Sequence, residues 1–193
     1  MFPFNNSQPN NANAWIYHGI ALYNSGLFWE ALGCFERALE LNPQSAFALY
    51  NKGNALARLG NDYEAIEFFT KALELNTSMP DAWNNKGNSL ARLGRDDEAL
   101  GCFDKALELT PRDAEIWANK GLSLVTLNRL EEALDCYNKA LEIDPNFTEV
   151  WLSKGVVEAR LGKNLEADKS FKTVGQLCPT KGYRKDRTDS YVS

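Results

Sequence analysis

The chain has a single histidine among its 193 residues, which leaves little material for general acid–base chemistry or a nitrogen-ligated metal site. That residue, His18, falls in a repeat column otherwise held by lysine, and the pattern suggests no serine or cysteine partner for it. Cysteine is also sparse. Cys34, Cys102, Cys136 and Cys178 form no C-x-x-C pair, so they read as reduced, partly buried thiols and not as a zinc site. Basic residues are not in excess: 21 Lys and Arg stand against 26 Asp and Glu, for a net charge of −5. Without an overall positive field, nucleic acid is not an expected partner. No run of 18 apolar residues suggests a membrane span, and the first residues show neither a basic nor an apolar leader region, so the expectation is a cytoplasmic protein off the membrane. Glycine-rich phosphate loops between a strand and a helix are missing too, and no strand is expected. The expectation is no enzyme, no cofactor and no metal.

What is present is a repeat. The sequence matches itself at a constant offset of 34 from residue 12 to residue 181, giving copies at 12–45, 46–79, 80–113, 114–147 and 148–181. In the third copy, PDAWNNKGNSLARLGRDDEALGCFDKALELTPRD, two stretches of helical periodicity flank Gly-Arg-Asp-Asp. Each copy therefore reads as two antiparallel helices, A and B. Helix A stops at Gly26, Gly60, Gly94, Asn128 and Gly162, residue types that tolerate a left-handed backbone. Helix B stops before Pro43, Pro111, Pro145 and Pro179; Thr77 replaces that proline in the second copy, with Pro80 suited to the next first turn.

Glycines inside helix A, at Gly19, Gly53, Gly87, Gly121 and Gly155, each cost about 1 kcal/mol relative to alanine, a cost expected where another helix approaches closely. Small residues recur on helix B at Ala31, Ala65, Ala99, Ala133 and Ala167. Each is followed four residues later by a ring: Phe35, Phe69, Phe103, Tyr137 and Phe171. With Trp15, Trp83, Trp117 and Trp151 and the later alanines Ala38, Ala72, Ala106 and Ala140, these residues resemble the tetratricopeptide repeat (TPR) signature over five copies. Two columns depart from it. The family's leucine before the glycine is His18, Lys52, Lys86, Lys120 and Lys154, whose stems are expected on apolar surface with their charges in water. Its tyrosine column holds Leu22, Leu56, Leu90 and Leu124, then Glu158.

The last helix B carries Asp168, Ser170 and Gly175 where other copies have larger, mostly apolar residues, which reads as a solvent-facing end near residue 181. Residues 1–11, around a Phe-Pro-Phe, read as a flexible arm, and 182–193 as a polar tail.

The resemblance implies an all-α fold, a right-handed α-solenoid whose helices A line a concave groove with ligand contacts at positions 2, 5, 6, 9, 12 and 13. Position 6 holds Asn51, Asn85 and Asn119; Asn54 and Asn88 add position 9, and Asn84 adds position 5. Side-chain amides in register donate and accept along the backbone of an extended peptide, and the TPR arms of O-linked N-acetylglucosamine transferases are similar in this respect. Ile16, Ile20 and Tyr23, joined by Phe47 and Tyr50, suggest an apolar pocket at one end; Ala118, Leu122, Leu152 and Val156 suggest a shallower strip at the other. Arg58, Arg92 and Arg160 at position 13 are expected to pair across repeats with Asp81, Glu115 and Glu149, so no anion site is assigned. The family's clamp for acidic chaperone tails lacks its cations: Tyr50, Glu115 and Asn119 stand where lysine, lysine and arginine are needed. Glu67 with Lys71 and Asp135 with Lys139 are spaced as i,i+4 ion pairs. The expected function is a protein-interaction scaffold gripping a peptide segment in the groove. The alternative is a module that forms homo-oligomers through the edge of its first repeat or its N-terminal arm.

Overall fold

The computed structural model describes residues 11–177. It contains ten helices and, among the described residues, no strand: α1 Ala12–Asn24, α2 Phe28–Leu41, α3 Ala46–Arg58, α4 Asp62–Leu75, α5 Pro80–Arg92, α6 Asp96–Leu109, α7 Ala114–Thr126, α8 Leu130–Ile143, α9 Thr148–Arg160 and α10 Asn164–Leu177. The arm and tail, together with Cys178 and Pro179, lie outside the described residues, apart from Asn11, whose side chain caps α1 by accepting from Asn13 N at 2.9 Å. Ser45 and Asp113 cap α3 and α7 in the same way, and Pro80 opens α5.

Every turn from an odd to an even helix closes alike. Gly26, Gly60, Gly94, Asn128 and Gly162 take φ of 78°, 84°, 73°, 59° and 74°. The next residue's N–H returns to the carbonyl five residues back, as in Leu27 to Leu22 at 3.0 Å and Arg129 to Leu124 at 2.8 Å. That bond satisfies a carbonyl the helix end would otherwise leave open.

Within each pair the rings of α2, α4, α6, α8 and α10 lie against the glycines of the preceding odd helix. A Cβ built at Gly19, Gly53, Gly87, Gly121 or Gly155 would sit 2.5 to 2.7 Å from Phe35, Phe69, Phe103, Tyr137 or Phe171. No real Cβ contact is so short, so only hydrogen fits there. Between pairs, the indole N–H of Trp83, Trp117 and Trp151 donates to the carbonyls of Thr77, Pro111 and Pro145 at 3.0, 3.0 and 2.8 Å. The tryptophan thus fixes the connection that delivers its own helix, and Thr77 serves as well as proline because only its carbonyl is used.

The lysine column rests on rings. Nζ of Lys86, Lys120 and Lys154 lies 5.7, 5.6 and 5.0 Å from the rings of Trp83, Trp117 and Trp151, and Lys52 lies 4.4 Å from Phe68. Lys52 and Lys120 also reach Glu36 and Asp104 on the preceding helical pair, at 2.9 and 2.6 Å.

Each helix packs on its sequence neighbours, and the backbone of each odd helix also comes close to that of the next odd one, whereas the backbones of the even helices stay farther apart from one another. The odd helices therefore converge on the inside of the stack and line its groove.

Three expectations are corrected. Among the described residues Glu67–Lys71 and Asp135–Lys139 form no ion pair; Lys71 sits over the ring of Phe68 on its own helix at 4.8 Å, and Lys139 over that of Trp117 on the preceding helix at 4.2 Å, where each ammonium meets a π face. Ser170 does not face solvent: it is buried and donates to Glu158 Oε2 at 2.7 Å, with Lys154 Nζ 3.8 Å from the other oxygen. Two departures in the last repeat are thus halves of one buried polar contact. His18 does have a cysteine neighbour, Cys34 Sγ at 3.8 Å from Nδ1. Burial pushes that thiol above its ordinary value, so it is no activated nucleophile.

Candidate peptide-binding groove

The six asparagines come together on the odd helices, but four of them are already engaged with one another in two pairs. Asn85 Nδ2 donates to Asn54 Oδ1 at 2.9 Å and to the Tyr50 hydroxyl at 3.4 Å. Asn119 Nδ2 donates to the buried Asn84 at 3.1 Å. These contacts bridge α3 to α5 and α5 to α7. Asn51 differs, turning back to its own helix at the Phe47 carbonyl, 2.7 Å away. Asn88, half-buried, has no side-chain bond among the described residues. An amide carries two N–H groups and an oxygen with two lone pairs, so a paired asparagine keeps capacity for a further partner. Burial pushes the Tyr50 hydroxyl above its ordinary value, against the lowering effect of its bond with Asn54, so it remains a neutral donor.

The apolar residues divide. Ile16 is 3% exposed and packs with Ala38 and Ala48 in the core, and Ile20 half-buries itself beside it. Tyr23 meets the Phe28 ring edge-on at 5.3 Å. Phe47 is exposed and stacks on Tyr50 at 6.4 Å, and Tyr50 leans on Phe69. At the other end Leu122, Leu152 and Val156 are 60%, 50% and 47% exposed, so the strip judged shallower from sequence presents the more apolar surface to solvent.

The arginines pair across repeats, but not with the acids of the groove. Arg92 makes a fork to Asp62 on α4, with Nε 3.0 Å from both carboxylate oxygens, and its Nη2 also reaches Ser89. Arg160 donates to Asn128, and Arg58 lies 5.1 Å from the Phe28 ring. The last turn of an odd helix overhangs the preceding A–B turn, which places these partners within reach and Asp81, Glu115 and Glu149 outside it. Burial acts to raise the Asp62 pKa, and the bonds and charge of Arg92 outweigh it, holding the carboxyl below its usual range.

Between these residues lies a cavity of about 180 Å³ lined by Tyr23, Asn54, Ala57, Arg58, Asn85, Asn88 and Arg92. Its two cations were legible only as a recurrent arginine at position 13. Among the described residues no cluster of three or more His, Cys, Asp or Glu is arranged to hold a metal, and no helix is long and apolar enough to cross a membrane.

Five antiparallel helix pairs stacked in one direction, with odd helices along an open groove, define a helical-hairpin solenoid. Profiles described as tetratricopeptide repeat match residues 17–80, 80–113 and 114–147, and the chain belongs to the tetratricopeptide repeat family. No curated protein matches the sequence. Among solved structures, MamA (41-end) from Desulfovibrio magneticus RS-1 superposes with a TM-score of 0.81 at 24% identity, over 88% of this chain and 96% of that one. YrrB, described as a TPR protein with an unusual peptide-binding site, gives 0.74 at 26% identity over 89% of each chain. The pilF protein of Pseudomonas aeruginosa gives 0.79 at 22% identity, over 86% of this chain and 76% of that one.

Proposed function

We propose that this chain is a non-catalytic scaffold or adaptor that holds an extended peptide segment along the groove of its odd helices. The observation that carries the reading is the run of amides on three consecutive odd helices, with Asn54, Asn84, Asn85 and Asn119 bridged so that their orientations are set before a ligand arrives and Asn88 beside them with its amide unengaged among the described residues. Preorganised donors lose less entropy on binding, which suits recognition of a backbone whatever its side chains. The description of YrrB as a peptide-binding TPR protein supports the same use of this fold. Exposed Phe47 at one end and Leu122, Leu152 and Val156 at the other would supply side-chain selectivity.

Selection from a displayed library of random peptides tests this, with the parent compared against a variant carrying Asn54→Ala, Asn85→Ala and Asn88→Ala whose helicity has been checked by circular dichroism. Peptides retained by the parent and lost by the variant are the expected result; equal retention places binding on another surface. A second reading, self-association through the first repeat, draws on the exposure of Tyr17 and Trp29 there. Light scattering that finds only monomer at high concentration removes it.

A further inference from the structure

We propose that the cavity between α1, α3 and α5 is a subsite for one carboxylate of the bound chain, an inference that rests on the groove reading above. Its lining holds two guanidinium groups, three amides and a phenol, and its volume of about 180 Å³ falls below the roughly 300 Å³ at which small-molecule pockets begin. That size suits the end of a side chain or of a peptide, not a separate ligand.

The charges favour an anion. Arg92 is neutralised by Asp62, which fixes Nε and Nη2 in place and leaves Nη1 without a partner among the described residues. Arg58 takes part in no ion pair among the described residues and lies on the Phe28 ring, which orients a guanidinium without using its donors on a carboxylate. One positive charge is therefore uncompensated in a recess whose amides are already aligned. Asn88 adds an unengaged amide at the same wall, and Asn85 is held by Asn54. A guanidinium presents planar paired donors that match a carboxylate, and the neutral amide of glutamine has the shape without the charge. The cations come from position 13, a column the family's clamp for acidic tails does not use. Elsewhere along the groove the arrangement does not recur: position 13 holds Thr126 on α7, and Arg160 on α9 is taken by Asn128.

The test is a side-chain NMR titration of the whole chain, following the Arg Nε–H and Asn Nδ2–H resonances. Three probes are used: acetyl-Ala-Ala-Glu-Ala-Ala-amide, the same peptide with Gln for Glu, and acetyl-pentaalanine with a free C-terminal carboxylate. The expected result is that the Glu peptide or the free-acid peptide shifts Arg58 and Asn88 at a half-saturating concentration about tenfold lower than the Gln peptide. Whichever of the two does so identifies the source of the carboxylate. Arg58→Gln should abolish the preference, and Arg58→Lys should keep part of it in a form that salt weakens. If all three peptides shift the groove asparagines equally, or if Arg58→Gln leaves the preference intact, the carboxylate subsite is wrong and the groove reading survives. If none shifts any groove resonance, both are wrong.

Discussion

At the scale of single residues, glycine inside the helices separates into two populations, one pressed against a ring and one with open space around it. Gly87 and Gly101 both lie inside helices, yet a Cβ on Gly87 would meet the Phe103 ring at 2.6 Å, and one on Gly101 would meet nothing within 4 Å. Gly101→Ala should therefore stabilise the protein by about 0.5–1 kcal/mol through helix propensity alone. Gly87→Ala gains the same propensity but forces the ring to move, so a net loss of about 1–3 kcal/mol is expected. Urea melts of the two variants should shift in opposite directions. The close approach at Gly87 was legible because the glycine recurs with an alanine and a ring at fixed spacing. The partners of the charged residues were less so: sequence spacing offers Glu67 to Lys71, but it does not show that the Phe68 ring lies 4.8 Å from that lysine.

At the scale of elements, the ten helices and their left-handed stops follow from period, glycine and proline, and the turn at Asn128 uses the one non-glycine residue with positive φ among those described. What the 34-residue spacing does not contain is the angle at which one pair sits on the next. That angle decides that Arg92 reaches Asp62 at the start of α4 and not an acid of the groove. The pairing carries a pH signature. Because the Asp62 carboxyl titrates below its ordinary value of 3.8 when folded, its contribution is fully present above that value and is lost as pH falls through the lower, folded one. Stability measured from pH 6 down to pH 2 should fall for the parent. Asp62→Asn should be less stable at pH 6 and show a shallower acid dependence; an unchanged slope would show that other carboxylates account for the acid loss.

At the scale of the whole molecule, each helical pair touches only its neighbours, so groove shape is the sum of four similar interfaces. The family resemblance supplied the columns expected along the groove, but not that Ile16 withdraws into the core, that Asn51 bonds its own helix, or that Leu122 and Leu152 are left largely exposed. Those outcomes depend on curvature and on which amides meet across repeats. Recognition of peptide backbone by the groove amides is tested most directly by an NMR titration of a library-selected peptide against a copy of it methylated at its backbone nitrogens. The parent peptide should shift the side-chain amides of Asn54, Asn85, Asn88 and Asn119, and the methylated copy, having lost its donors, should bind at least about tenfold more weakly. Equal binding of the two, with those amides unmoved, would contradict backbone recognition by the groove.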